Sequence, residues 1–250
     1  YDAITAPEVT YLGTSAGSSV ASQLAGGTPI DDLFAMQLER ETAELGADMD
    51  LEAFQQTMAS VLRGVTSDED RRRRIGAFAR QAQTVRPADR RAVIESRLLV
   101  KHWPDRRLLI TAVNTGTGEL TVFNRDSGVE LVDAVSASCA VPGIWPTVEI
   151  NGVHYTDGGV RSLANADVVV GSDPVLILVP TAPVSPVGET ITAAELAALG
   201  AATVTTVFAD TASITAFGQN PLDPAVRPPA AEAGRVQGRE LAASLQSIWA

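Results

Sequence analysis

Apolar and polar positions alternate along this chain in short runs separated by turn residues, and those runs predict a mixed architecture. Val9-Thr10-Tyr11-Leu12 predicts a short buried strand, and a helix of small residues follows from about Ser18 to Ala25. Thr28, with Pro29 at the first helical position and Asp31 three residues on, predicts a helix start for a segment running to Leu45. Further helices are expected from Asp50 to Arg63, ending at Gly64, from Ser67 to Gln83 behind a Ser67/Asp70 capping pair, and from Pro87 to Arg97. Strands resume with Arg107 to Val113 and Glu119 to Asn124, joined by a Gly-rich turn into a hairpin. Val129 to Ala140 reads as a small-residue helix stopped by Pro142, and Asn151-Gly152 marks a second hairpin. Val175 to Val179 is a continuous apolar run of the kind buried on both faces of a sheet. The rest reads as a loop from Pro180 to Gly188, a helix from Ala193 to Leu199, a strand from Thr203 to Phe208, and a closing helix from Ala230 to Trp249 behind the Pro228-Pro229 breaker.

Strands interleaved with helices imply the α/β class and a three-layer α/β/α sandwich, here with a helical segment inserted after the first short helix. A length of 250 residues fits one such domain over residues 1–250. Nineteen Lys and Arg against thirty Asp and Glu give a net charge of −11, a sign that repels nucleic acid and anionic bilayers. The stretch free of charge near Leu196 to Ala209, which holds Gly200 and several threonines, is shorter than the roughly 18 residues a membrane span needs, so at most peripheral membrane contact is expected. Tyr1-Asp2-Ala3-Ile4 has no secretory pattern, and one cysteine, Cys139, precludes an intramolecular disulfide; both fit a cytoplasmic protein. Oligomeric state is not legible in these features.

The candidate chemistry begins at Gly13-Thr14-Ser15-Ala16-Gly17, a G-x-S-x-G run between a predicted strand and a predicted helix. There the serine sits on a strained turn, and the helix N-terminus and the Ala16 backbone N–H lie beside any oxyanion formed at Ser15. The pattern arises by chance about 0.1 times per chain of this composition, and it also fits a tight connection with a serine N-cap, so context decides. A serine nucleophile needs a base. His102 and His154 are the only histidines, and nearly a hundred residues follow the second without another. A Ser-His-Asp triad would therefore require His154 beside Ser15. The other base on offer is Asp157, followed by Gly158-Gly159 after a hairpin strand, although that tripeptide alone also fits a plain turn. As a base, Asp157 must be desolvated and in direct contact with Ser15, because a free carboxyl ionises too readily to take a hydroxyl proton. Arg71 to Arg74 behind Asp68 to Asp70 reads as a solvated helix face, and Cys139 as an inert core thiol. No cluster has metal-ligand spacing, and no cofactor is implied.

Gly13-x-Ser15-x-Gly17 with Asp157-Gly158-Gly159, approached through Ser136-Ala137-Ser138-Cys139-Ala140-Val141-Pro142-Gly143 and Trp145-Pro146, resembles the patatin-like phospholipase family. The resemblance spans about Val9 to Leu24 and about Arg107 to Val179. It implies a patatin-like fold and a serine acyl hydrolase with a Ser-Asp dyad, Ser15 as nucleophile and Asp157 as base, acting on a lipid or small ester. Gly13, Gly17, Gly158 and Gly159 would then be motif glycines and Ala16 an oxyanion donor. The family also carries a strand and a Gly-rich oxyanion loop ahead of the elbow. Nothing before Gly13 supplies them, so they are expected upstream of Tyr1. If they are truly lost, the alternative is a non-catalytic regulatory or interaction protein on the same fold.

Overall fold

The computed structural model describes residues 6, 8–39, 42–47, 51–185, 188–218 and 220–246. The Tyr1–Ile4 segment, the Asp50 helix start and Trp249 lie outside the described residues. In chain order the elements are β1 (Tyr11–Thr14), α1 (Ala16–Ala25), α2 (Ile30–Leu38), α3 (Leu51–Val61), α4 (Asp68–Gln81), α5 (Pro87–Arg97), β2 (Leu108–Asn114) and β3 (Leu120–Phe123). There follow α6 (Leu131–Ser138), β4 (Val148–Ile150), β5 (Val153–Asp157), β6 (Val175–Val179), β7 (Val184–Ser185) and β8 (Gly188–Glu189). The last are α7 (Ala193–Ala198), β9 (Val204–Phe208), α8 (Thr211–Phe217) and α9 (Arg227–Gln246). Within the single domain expected over 1–250, contacts group into two compact units, residues 7–28 with 47–163 and residues 1–6 with 29–46 and 164–250.

The first unit is a three-layer α/β/α sandwich around β2. Every residue of β2 from Leu108 to Val113 is buried, because both faces of this central strand are covered. On one face Leu108, Ile110 and Ala112 join a cluster with Leu131, Ala134 and Val135 of α6, Ala21 and Ala25 of α1, and Ile94 of α5. On the other, Val113 packs with Ile75 of α4 and Val160, flanked by Val61 and Leu62. Each fully buried Ile, Leu or Val contributes about 1.5 to 3 kcal/mol of transfer free energy, so the layers hold together mainly through β2 and its neighbours. The small residues of α6 allow its close approach to the sheet.

Both hairpins form where the turn chemistry predicts. Asn151 and Gly152 have φ of 52° and 77°, the left-handed pair of a type I′ turn, which joins β4 to β5. Ser67 caps α4 by accepting the Asp70 N–H, as the pattern predicts. The segment after Thr28 departs from expectation. Its helix stops at Leu38, where Glu39 turns extended at ψ 130°, instead of continuing to Leu45.

The second unit contains the parallel pair β6 and β9, the short hairpin of β7 and β8, and α2, α7, α8 and α9. Val175 and Ile177 face a cluster with Ala166 and Leu199, but Leu178 is 62% exposed. The run Val175 to Val179 is thus covered on one face only, which corrects the expectation of a strand buried on both. Pro228-Pro229 does not precede the last helix but lies in its first turn, where the missing N–H groups would have had no intrahelical partner. α8 and the β7–β8 pairing inside the expected loop were not anticipated.

Candidate active site

The registers of the first sheet bring the two motifs together. Ile110 of β2 pairs with Gly13 on one side and Phe123 on the other, and Ala112 pairs with Asp157 on one side and Thr121 on the other. Since β3 pairs with Ile110 to Val113 along one edge of β2, β1 and β5, which also pair within that span, share the opposite edge. They run toward each other along it. β1 ends with Thr14 opposite Thr111, and β5 ends with Asp157 opposite Ala112, the next residue along. Ser15 leaves the first strand where the carboxylate of the second arrives.

Ser15 occupies φ 53°, ψ −129°, a conformation that costs an L-residue on the order of 1 to 3 kcal/mol and persists only where surroundings enforce it. Gly13 is obligatory for that turn: a Cβ there would collide with Ser18 Cα and lie 2.7 Å from the Gly17 carbonyl oxygen. Gly17 is different. A Cβ there would meet nothing within 4 Å, and its φ is not positive, so closure of the turn rests on the first glycine of the motif and not on the second. Ala16 and Gly17 open α1 on its exposed side, with the helix N-terminus beside the serine.

Ser15 Oγ donates a 2.6 Å hydrogen bond to Asp157 Oδ2. The other oxygen, Oδ1, accepts the Gly159 N–H at 2.7 Å and so caps a single 3₁₀ turn, Gly158–Val160. Gly158 is forced by contact with β2, because a Cβ there would strike the Thr111 hydroxyl and sit 2.8 Å from its carbonyl oxygen. A Cβ on Gly159 would lie 3.0 Å from Asp157 Oδ1 itself. Asp157 is 4% exposed, and burial pushes its carboxyl up to about 6, against the opposing pull of the Ser15 and Gly159 hydrogen bonds. The site thus joins a hydroxyl to a desolvated carboxylate whose proton affinity lies closer to neutrality than that of a free aspartate.

Neither histidine joins this pair. His154 lies three residues before Asp157 on β5 and so projects from the opposite face of the strand, about 10 Å along it. There its ring is 3.3 Å from Thr147 Oγ1 and 3.7 Å from Glu149. His102 is exposed near Asp105.

Several contributors escaped the sequence reading. The Ser15 N–H donates to Ser138 Oγ at 2.9 Å, and the Ser15 carbonyl accepts from Ser18 Oγ at 2.6 Å and Cys139 Sγ at 3.1 Å. Cys139, expected to be inert core, is buried as expected but also touches the Ser15 backbone. The arginines of α4 are not a purely solvated face. Arg71 donates to the Val160 carbonyl at 2.8 Å, tying α4 to the turn that Asp157 caps, and Arg72 donates to the Gly118 carbonyl. Arg74 does form the expected local pair, with Asp70 at 3.0 Å. The only signal for these contacts was the run of small residues from Ser136 to Ala140; the four arginines gave none.

A family model described as patatin-like phospholipase matches residues 10–170, which hold both strand ends and everything bonded to Ser15 and Asp157. The chain belongs to that family, and with it to the lipid acyl hydrolases. No curated protein matches the chain at a significant level. Among the described residues, no helix is long and apolar enough to cross a membrane.

Proposed function

We propose that this protein hydrolyses carboxylic esters of lipids through an acyl-serine intermediate, with Ser15 as nucleophile and Asp157 as its base. The observation that carries the reading is the 2.6 Å hydrogen bond from Ser15 Oγ to a carboxylate that is 4% exposed. As Oγ attacks the ester carbonyl carbon, its proton passes to Asp157 Oδ2, and the carbonyl oxygen becomes an oxyanion beside the N-terminus of α1, where the Ala16 N–H is available as a donor. Collapse of the tetrahedral intermediate expels the alcohol, which takes the proton from Asp157 and leaves the acyl group on Ser15. Asp157 then removes a proton from water as the water attacks the acyl carbonyl, and returns it to Ser15 as the free acid departs. Burial makes this exchange feasible: a carboxylate held near 6 is ionised at neutral pH yet far less reluctant to accept a proton than a solvated one.

Labelling with a fluorophosphonate, followed by mass spectrometry of the modified peptide, tests the assignment. Modification is expected at Ser15, and Ser15→Ala is expected to abolish both labelling and hydrolysis of a nitrophenyl ester with the fold unchanged. Labelling at another serine, with the Ser15 peptide untouched, overturns the assignment. A well-folded protein that neither labels nor turns over favours a non-catalytic interaction protein instead.

A further inference from the structure

Nothing in the dyad itself explains how a serine is kept at φ 53°, ψ −129° with its hydroxyl on a carboxylate 142 residues away. We propose that Ser138, at the C-terminal end of α6, is a positioning residue that fixes the Ser15 backbone and thereby aims its hydroxyl at Asp157. The inference rests on Ser15 being the nucleophile.

Three consecutive residues contact both halves of the site. Ser138 Oγ accepts the Ser15 N–H at 2.9 Å, and Cys139 Sγ donates to the Ser15 carbonyl at 3.1 Å. The Ala140 carbonyl accepts the Asp157 N–H at 3.0 Å and the Thr156 hydroxyl at 2.7 Å. The end of α6 therefore spans the gap between the nucleophile's peptide and the strand that carries the base. It is also a rigid reference. Ser138 is 0% exposed, and α6 packs on β2, β5, α1 and α5. Burial pushes the Cys139 thiol up, which keeps the proton it donates. Ser18 secures the carbonyl side from within α1, through its hydroxyl at 2.6 Å and its N–H at 2.8 Å. The Ser15 oxygen thus has several donors, and Ser138 provides the hydroxyl acceptor on the nitrogen side. Removing that hydroxyl frees the peptide to rotate toward an ordinary conformation, and such a rotation swings Oγ away from Oδ2.

A misaimed nucleophile slows chemistry without weakening substrate binding, and misplacement of about 1 Å can cost about a hundredfold. Ser138→Ala is therefore expected to lower kcat at least about tenfold with KM within about a factor of two, and to slow fluorophosphonate labelling of Ser15 in parallel. Both are measured at a temperature where calorimetry shows wild type and variant fully folded. A structural role alone would lower the melting temperature and leave both rates intact, and that result overturns the inference. If Ser138→Ala does not fold, Ser138→Cys keeps the size of the side chain and replaces the hydroxyl that accepts the Ser15 N–H by a poorer acceptor. It is expected to show the same loss in kcat at smaller amplitude, and unchanged kcat in that variant overturns the proposal. Wild-type protein that is not labelled at Ser15 would overturn the nucleophile assignment itself, whereas labelled wild type with an indifferent Ser138→Ala overturns only the positioning role.

Discussion

Replacing Asp157 by Asn should inactivate the protein and at the same time stabilise it, by an amount that depends on pH in a defined direction. In the folded chain the Asp157 carboxyl is raised from 3.8 to about 6, with burial as the largest cause. An acid whose proton is held more tightly when folded stabilises the fold fully below its unfolded value, and that stability is lost as pH rises through the folded value. At about 1.4 kcal/mol for each tenfold in proton affinity, the distance from 3.8 to about 6 corresponds to about 3 kcal/mol lost by the wild type above pH 6. The asparagine variant has no ionisation to pay for. Its carboxamide oxygen can still accept the Gly159 N–H, but its NH₂ cannot take a proton from Ser15. The difference in unfolding free energy, variant minus wild type, should therefore rise with pH, with about two-thirds of the change falling between about pH 4 and about pH 6. Urea denaturation of both proteins across that range measures it. Any constant contribution from the altered hydrogen bonds cancels, because only the change with pH is read. A difference flat in pH would show that Asp157 is not held in a desolvated site, and the argument for its basicity would fall with it.

The same carboxylate sets the activity profile: kcat/KM on a nitrophenyl ester should fall about tenfold per pH unit below about pH 6, as the base becomes protonated, and a profile flat to pH 4 would refute this. Gly13→Ala and Gly158→Ala should each lower stability by about 1 to 3 kcal/mol and abolish Ser15 labelling, since both Cβ atoms strike backbone or the Thr111 side chain. Gly17→Ala, which meets open space in the first turn of α1, should instead raise stability by about 0.5 to 1 kcal/mol, as read by urea denaturation. His154→Ala should keep most of the esterase activity, and a loss of several orders of magnitude at unchanged melting temperature would restore the triad reading.

What could be read in advance was what local chemistry determines. Gly13-x-Ser15-x-Gly17 between a strand and a helix, the Asn151-Gly152 turn, the Ser67 cap and the bounds Pro87–Arg97 each depend on residues a few positions apart. The turn, the cap and the helix bounds lie where expected, whereas β1 runs on through Gly13 and Thr14 and α1 opens at Ala16, so only Ser15 stands between strand and helix. What could not be read depends on partners far along the chain. Ser138 is 123 residues from the N–H it accepts, and Arg71 is 89 residues from the carbonyl it reaches, so neither leaves a periodic or spacing signal. Leu178 belongs to an apolar run indistinguishable from a doubly covered strand; its exposure follows from which elements pack on β6 and β9, a tertiary matter. The prolines at 228 and 229 misled in the other direction, because a first helical turn tolerates what a helix interior does not. Even the two halves of the elbow motif proved unequal, a distinction visible only once Ser18 and Gly17 are placed around Gly13.

The head-to-head arrival of β1 and β5 on one edge of β2 makes the chemistry a gauge of strand alignment. Thr14, the residue before Ser15, and Asp157 lie on neighbouring rungs, opposite Thr111 and Ala112, so a slip of either strand by one residue would displace Ser15 or Asp157 by about 3.3 Å and turn the side chains of that strand to the opposite face. A hydrogen bond of 2.6 Å cannot survive that displacement. Molecules that are compact and rich in native secondary structure but misaligned by a single rung would thus look folded to circular dichroism and yet be chemically silent. For this protein, specific activity divided by the folded fraction should report how much of a preparation has its strands in the native alignment, a quantity that spectroscopic measures of helix and sheet content do not resolve.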